Sequence, residues 1–379
     1  MGKLWGYILT SLFKLNRTQQ NMDDQIKLCN FQGIDWHKYN LARTHEKRMF
    51  YELLNELSKL IPDLPKSNGR PPIPLKDLFF MSALKIYCNF SLRKIHHDLR
   101  EAEACGYIKK AGHFNRVSDF FNSSCTYNLL SKFLTISAMP LKQLEDDFSM
   151  DASGFGSSQY ERWMRIRFVK PKTEWRNYLK GHILIGTRTN VICSAEITYG
   201  NLNDGKQAPL LLQQANGNFD MKRVSADKGY ASFKIFQLID SIGATPFIPF
   251  KENITKENKD APKIWNRMFR YFQKNKDSFL KFYHRRSNVE STFAMIKMRL
   301  GEFLKCKNYE SQRNELMMKF IVHNICCLIS EIFENKVHID FKECIRKYVE
   351  PKPIKIKPEP ENPLKGIGRP LILPDDFSE

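Results

Sequence analysis

"GHILIGTRTNVICSAEITYG", residues 181–200, holds two runs rich in β-branched residues, 181–187 and 191–200, split by Arg188, Thr189 and Asn190. That composition and spacing predict an antiparallel hairpin. Upstream, "FSMDASGF" (148–155) reads as a short strand. Downstream, "GKQAPLLLQQANG" (205–217) is a short helix pattern ending in Gly, and "MKRVSADKGY" (221–230) is a strand that stops at an Asp and a Gly turn. "SFKIFQLIDSIG" (232–243) has apolar residues at 235, 239 and 242 and reads as a helix, and "ATPFIPF" (244–250) as another strand. Three strands and a helix, then alternating strand and helix, predict a mixed α/β sheet. A lysine-rich segment (251–282) follows.

Toward the N-terminus the periodicity changes from 2 to 3.6. Residues 40–62 are helical in pattern and stop at a proline, and "PDLPKSNGRPPIP" (62–74) is a linker or turn. "LKDLFFMSALKIYCNF" then reads as a buried helix, and "SLRKIHHDLREAEACG" as a second, with Ser91 as N-cap and Gly106 past its end. At least one more helix follows in 115–140. Short turns and local basicity allow a helix-turn-helix arrangement; a helical bundle serving as an oligomer interface fits equally well. Four segments result: an N-terminal helical arm (1–68), a helical, helix-turn-helix-like domain (69–145), the mixed-sheet domain (146–335), and a Pro/Lys-rich tail (336–379). Seven of the chain's 18 prolines lie beyond residue 350, which predicts an extended or disordered end.

The 379 residues carry 60 Lys+Arg against 41 Asp+Glu, a net charge of +19. The excess is spread along the chain, which favours a polyanion such as nucleic acid over a membrane surface. No C-x-x-C pair occurs among the nine cysteines, so reduced thiols in a cytoplasmic protein explain them better than disulfides or zinc. His323 in "VHNICCLI" reads as core. The first apolar run, "LWGYILTSLF", is too short to span a bilayer, and reads as an amphipathic helix or arm. "GRPPIPLKD" (69–77) and "GRPLILPDD" (368–376) echo each other: minor-groove contact is one reading, a simple turn before a helix the other. Trp163, Trp175 and Trp265 lie in basic surroundings and suit either packing or an extruded base.

"YHRRSNVESTFAMIK" (283–297) contains no Gly or Pro. On a continuous helix, with Tyr283 at zero, Arg286 falls at about −60°, Glu290 at about −20° and Lys297 at about −40°. They share a stripe beside an apolar edge of Val289, Phe293, Ile296 and Leu300. The plain alternative is a solvated edge with an Arg286–Glu290 i,i+4 pair. Asp151 and Asp227 both fall at predicted strand ends, where α/β folds gather ligands, although Asp is also ordinary turn chemistry. Two strand-end aspartates and a helical glutamate suffice to hold two Mg²⁺ ions against a phosphodiester.

The spacing Y-x2-R-x3-E-x6-K, filled by Tyr283, Arg286, Glu290 and Lys297, resembles the YREK signature of DDE-type insertion-sequence transposases. "TYGNLNDGKQAPLLL" is similar to the family's segment after the third strand, with Asn203 in place of the usual His before Asp204. "ADKGYASFKIFQLIDSIGATPFIPFKEN" resembles the segment around its second acidic residue, and "MDASGF" the first. "GRPPIPLKDLFFMSALKIYCNFSLRKIHHDLR" looks like its N-terminal helical region. The resemblance covers most of residues 69–330. It implies an α/β, RNase H-like mixed sheet with flanking helices, preceded by an all-helical DNA-binding region. It further implies Asp151, Asp227 and Glu290 as catalytic residues and metal ligands for two Mg²⁺ (Mn²⁺ as a substitute). Tyr283, Arg286, Lys297, Arg285 and Lys228 are the expected DNA contacts, and Asn203 and Asp204 support the acidic site from behind. The implied activity is cleavage at terminal inverted repeats and joining of the 3′-OH ends to target DNA, by a homodimer on the cytoplasmic nucleoid with no membrane partner. Two rivals share the features: an RNase H-like nuclease without strand transfer, and a non-catalytic DNA-binding remnant.

Overall fold

The computed structural model describes residues 35–62, 72–157, 178–200 and 202–356. The N-terminal arm to residue 34, both Gly-Arg-Pro segments apart from residues 72–77, Trp163, Trp175 and the end of the chain from 357 lie outside them.

Five helices come first: α1 (Trp36–Ser58), α2 (Leu75–Tyr87), α3 (His96–Ala104), α4 (Asn115–Asn122) and α5 (Thr126–Ala138). Asp35 caps α1 by accepting from Lys38 N–H. Ser91 does not cap α3 as expected. Its hydroxyl accepts from Lys94 N–H in a turn that precedes the helix, so α3 starts five residues later, at His96. Gly106 at φ 76° does close the segment, in the left-handed region that glycine adopts freely.

The sheet follows. β1 (Asp147–Gly156), β2 (Tyr178–Gly186) and β3 (Ile192–Tyr199) are antiparallel neighbours. The turn between β2 and β3 takes a positive φ at Asn190, one of the non-glycine residues that tolerates it. A helix, α6 (Ala208–Ala215), leads to β4 (Arg223–Ala226), and α7 (Phe233–Ser241) leads to β5 (Thr245–Phe247). β4 pairs parallel to β1 and β5 parallel to β4, so the order is β3-β2-β1-β4-β5. That is the expected RNase H-like mixed sheet, flanked by helices.

The lysine-rich segment holds two helices, α8 (Lys263–Lys274) and α9 (Lys276–Tyr283). In α8, Ile264, Trp265, Met268 and Phe269 recur on one face and are buried. Trp265 packs among Phe233, Phe236 and Phe250, so its role is core. After a 3₁₀ turn (His284–Arg286), α10 runs from Ser287 to Leu300, and α11 from Tyr309 to Asn335. A further helix, α12 (Phe341–Lys347), follows, docked through the buried Phe341 in a stretch read as extended tail.

α11 joins the two halves. It packs on α1, α2, α4, α5 and β3. It is long and apolar enough to cross a bilayer, but 78% of its most apolar window is buried inside the protein, as in the central helix of a folded domain. His323 is 4% exposed there, with Nε2 2.9 Å from Asn190 O.

Candidate active site

β1 and β4 position the two aspartates. Their parallel register pairs Phe148 with Val224, Ser149 with Ser225 and Met150 with Ala226. One step further along both strands stand Asp151 and Asp227. Residues level on adjacent strands point to the same face about 4.8 Å apart, so the two carboxylates are neighbours. Asp227 also caps the 3₁₀ turn Lys228–Tyr230, with Oδ1 accepting from Lys228 N–H at 2.7 Å. The Lys228 side chain is exposed beside it.

Glu290 reaches the same place from α10, through Arg286. The guanidinium donates to Asp151 Oδ2 at 2.8 Å and to Glu290 Oε1 at 2.5 Å. Burial pushes the Asp151 carboxyl above its usual range; the nearby charges of Asp227 and Glu290 push the same way, and Arg286 and the Ala152 N–H only partly offset them. Burial opposes the charge on Arg286, yet Tyr283, Asp151 and Glu290 together hold its pKa above the ordinary value. Each group of the cluster therefore feels the others.

The helix expected over 283–297 is not continuous. α9 ends at Tyr283, the 3₁₀ turn intervenes, and α10 restarts at Ser287. The backbone stays right-handed helical through the turn, so the winding tightens there while Arg286 and Tyr283 remain neighbours. From Arg286 onward the wheel holds, with Val289, Phe293, Ile296 and Leu300 all buried. The turn's two arginines both find partners on β1. Arg286 is drawn to Asp151, while Arg285 pairs with Asp147. Those two aspartates are roughly 13 Å apart along the strand. Successive helical residues point about 100° apart, which lets the two arginines reach separate partners. Arg285 is thus held away from the three carboxylates, sharing Asp147 with Arg223.

Lys297 lies two turns along α10 from Glu290. Its Nζ donates to Ser153 Oγ at 2.8 Å, and burial lowers its pKa. Ser153 follows Asp151 by two and so shares its face of the sheet. Tyr283 stands at the other side, its ring 5.9 Å from the Arg286 guanidinium.

Behind the aspartates, Asn203 Oδ1 accepts from Gly205 N–H and starts the turn that presents Asp204. Asp204 accepts from Lys180 Nζ at 2.9 Å. His182 is fully buried, its Nε2 2.8 Å from Thr198 Oγ1. Its Nδ1 stands 3.5 Å from Asp204 without making a hydrogen bond, and burial drives its pKa down to about 4. Tyr230, 2% exposed, turns a hydroxyl with no partner among the described residues toward the same carboxylates, which, after burial, raise its pKa. Sequence reading missed Lys180, His182, Ser153 and Tyr230. The available signal was alternation: Lys180 and His182 are polar at i and i+2 in an otherwise apolar strand.

Among the described residues, no three His, Cys, Asp or Glu side chains converge closely enough to hold a metal ion as the structure stands. The Arg286 guanidinium occupies the place between Asp151 and Glu290. The donor set nonetheless fits a hard divalent cation: it is all carboxylate oxygen, and the buried Tyr230 hydroxyl nearby has no partner among the described residues.

No curated protein and no solved structure matches the chain. A family model does match, over residues 143–325, and its description is "Transposase DDE domain". The segment carrying the five strands, both aspartates and Glu290 is thus similar to the DDE domain of transposases, which supports a DDE transposase.

Proposed function

We propose that the chain binds the terminal inverted repeats of an insertion sequence, cleaves DNA at the element ends, and joins the freed 3′-OH ends to target DNA. The observation that carries this reading is the Asp151–Arg286–Glu290 bridge, which closes across 135 residues of sequence beside Asp227. Asp151, Asp227 and Glu290 would hold Mg²⁺, or Mn²⁺ in its place, as two ions. Such ions activate an attacking oxygen and stabilise the leaving one. The chain's own part is positioning. Arg286 exchanges the carboxylates for a phosphate oxygen. Lys297 and Tyr283 take further oxygens of the same backbone, and Lys228 and Arg285 contact it nearby. Bidentate guanidinium and ammonium donors at a half-buried site stabilise the charge that builds on the phosphorus centre. Lys180 fixes Asp204, which with Asn203 braces the turn behind Asp227.

Residues 69–145 serve as the element-end reader, and two chains act together as a homodimer, since two ends must be brought together. The protein works in the cytoplasm, on the nucleoid. The test is strand cleavage on a labelled element end with Glu290→Gln. Loss of cleavage with retained end binding is expected, and retained cleavage removes Glu290 from the site. Supplying a pre-cut 3′-OH end to the wild type then separates strand transfer from simple nuclease action.

A further inference from the structure

Away from the carboxylates, a cleft of about 640 Å³ opens between the helical region and the connector that follows α10. One wall carries Lys85 of α2 and Arg93 of the next turn, and the other carries Lys305 and Lys307 of the connector. Phe114 and Phe121 complete it, and no Asp or Glu lines it. Glu315 behind the wall pairs with Lys85, and the other three cations face the space with no carboxylate in its lining, so they repel each other unless an anion lies between them.

Lys85 sits deepest. Its side chain is 5% exposed, yet its ammonium has three protons to donate. Among the described residues it makes one hydrogen bond, a long one of 3.5 Å to Glu315 Oε1. The other Glu315 oxygen is occupied by the backbone, accepting from Lys305 N–H at 2.9 Å and Cys306 N–H at 2.7 Å. Phe121 offers only a ring face 5.7 Å away. A buried ammonium so poorly satisfied is expensive, and an oxyanion in the cleft supplies the missing acceptors. The cleft is also firmly built. Lys319 Nζ holds the connector at Gly301 O (2.7 Å) and Phe303 O (3.0 Å), and Lys305 Nζ is fixed to Asn89 O at 2.6 Å. Phe303 in turn bridges to Gly156 at the end of β1.

We propose that this cleft binds a phosphate of the DNA backbone, separate from the carboxylate site, and so clamps DNA between the helical region and the catalytic sheet. The proposal rests on the DNA-recombination reading above. Arg93 and Lys307, exposed at the mouth, extend the positive lining past the reach of one phosphate, which suits a polymer better than a free nucleotide.

The experiment uses the full chain in EDTA and follows the fluorescence anisotropy of a labelled mixed-sequence duplex across a KCl series. The Arg93→Ala/Lys307→Ala variant alters two exposed residues and leaves the core intact. Its log Kd against log salt slope should flatten by about 0.9 per lost contact, with affinity roughly tenfold weaker at low salt. Lys85→Met, checked for a native thermal melt, should flatten the slope by about 0.9 more. Wild-type binding with an unchanged slope in the double variant overturns the cleft proposal alone. No DNA binding by the wild type overturns it together with the recombinase reading. A fluorescent ATP analogue bound by the wild type but not by the double variant, with the DNA slope unchanged, identifies a nucleotide site and also overturns the proposal.

Discussion

Glu290 and Glu315 are both helical glutamates among basic residues, and they have opposite fates. Glu315 is 1% exposed and engages two backbone N–H groups and Lys85. Burial works against its charge, but Lys85, Lys319 and those N–H groups still hold its carboxyl below the usual range. Glu290 is 58% exposed and has Arg286 as its ion-pair partner. A carboxylate with its acceptor sites filled in a dry interior fixes architecture, because removing it strands buried cations. A carboxylate held through one shared, partly wetted guanidinium can exchange that partner for another cation. Exposure and saturation thus separate a glutamate sealed into the architecture from one free to take a new partner.

The sharpest way to break this distinction is Glu290→Gln. Strand cleavage should fall to background in a gel assay, while urea unfolding shows a stability change below about 1 kcal/mol, as for an exposed pair. Glu315→Ala should do the reverse to the fold. A loss of about 3–5 kcal/mol is expected from the same urea titration, since Lys85 and Lys319 are left buried without their carboxylate. A small loss would mean the clamp is not what holds the connector.

Buried His323 extends the comparison to pH. Burial lowers its pKa from 6.5 to about 4. A histidine depressed in the fold contributes stability that is fully present above the unfolded value and disappears as pH falls through the folded one. The window is therefore pH 6.5 down to about 4, and the contribution is ~3 kcal/mol at about 1.4 kcal/mol per pKa unit. Relative to wild type, His323→Gln should lose less stability across that window, read from urea midpoints at each pH. Parallel curves would place the acid sensitivity elsewhere. The smallest expected effect is on the wet side: Lys297→Ala should flatten the salt dependence of DNA binding by about 0.9. An unchanged slope would put Lys297 away from the backbone.

The strands were legible because a hairpin and three short β runs leave period-2 and β-branched signatures. Asp227 follows the end of β4 as expected, whereas Asp151, expected at a strand end, stands in the middle of β1, because the strand runs on through its small residues to Gly156. α8 was not legible, because six Lys or Arg residues in 263–282 obscure the four apolar residues it buries. The break between Tyr283 and Ser287 was not, since nothing in "YHRRSN" interrupts a helix. The partners of its two arginines, Asp147 and Asp151, lie more than 130 residues earlier. The cleft at Lys85 left no local trace either, being assembled from α2, α4 and the connector after α10.

By itself, the sequence determined the mixed sheet, the helical region before it, the basic character, and which acidic and basic residues were candidates, because periodicity and side-chain chemistry are local properties. Tertiary structure alone decided which arginine faces which carboxylate, which glutamate is sealed and which is open, and where cations face one another without an anion. Those are matters of distance and exposure, set by the parallel pairing of β1 with β4 and by α11 packing against both halves.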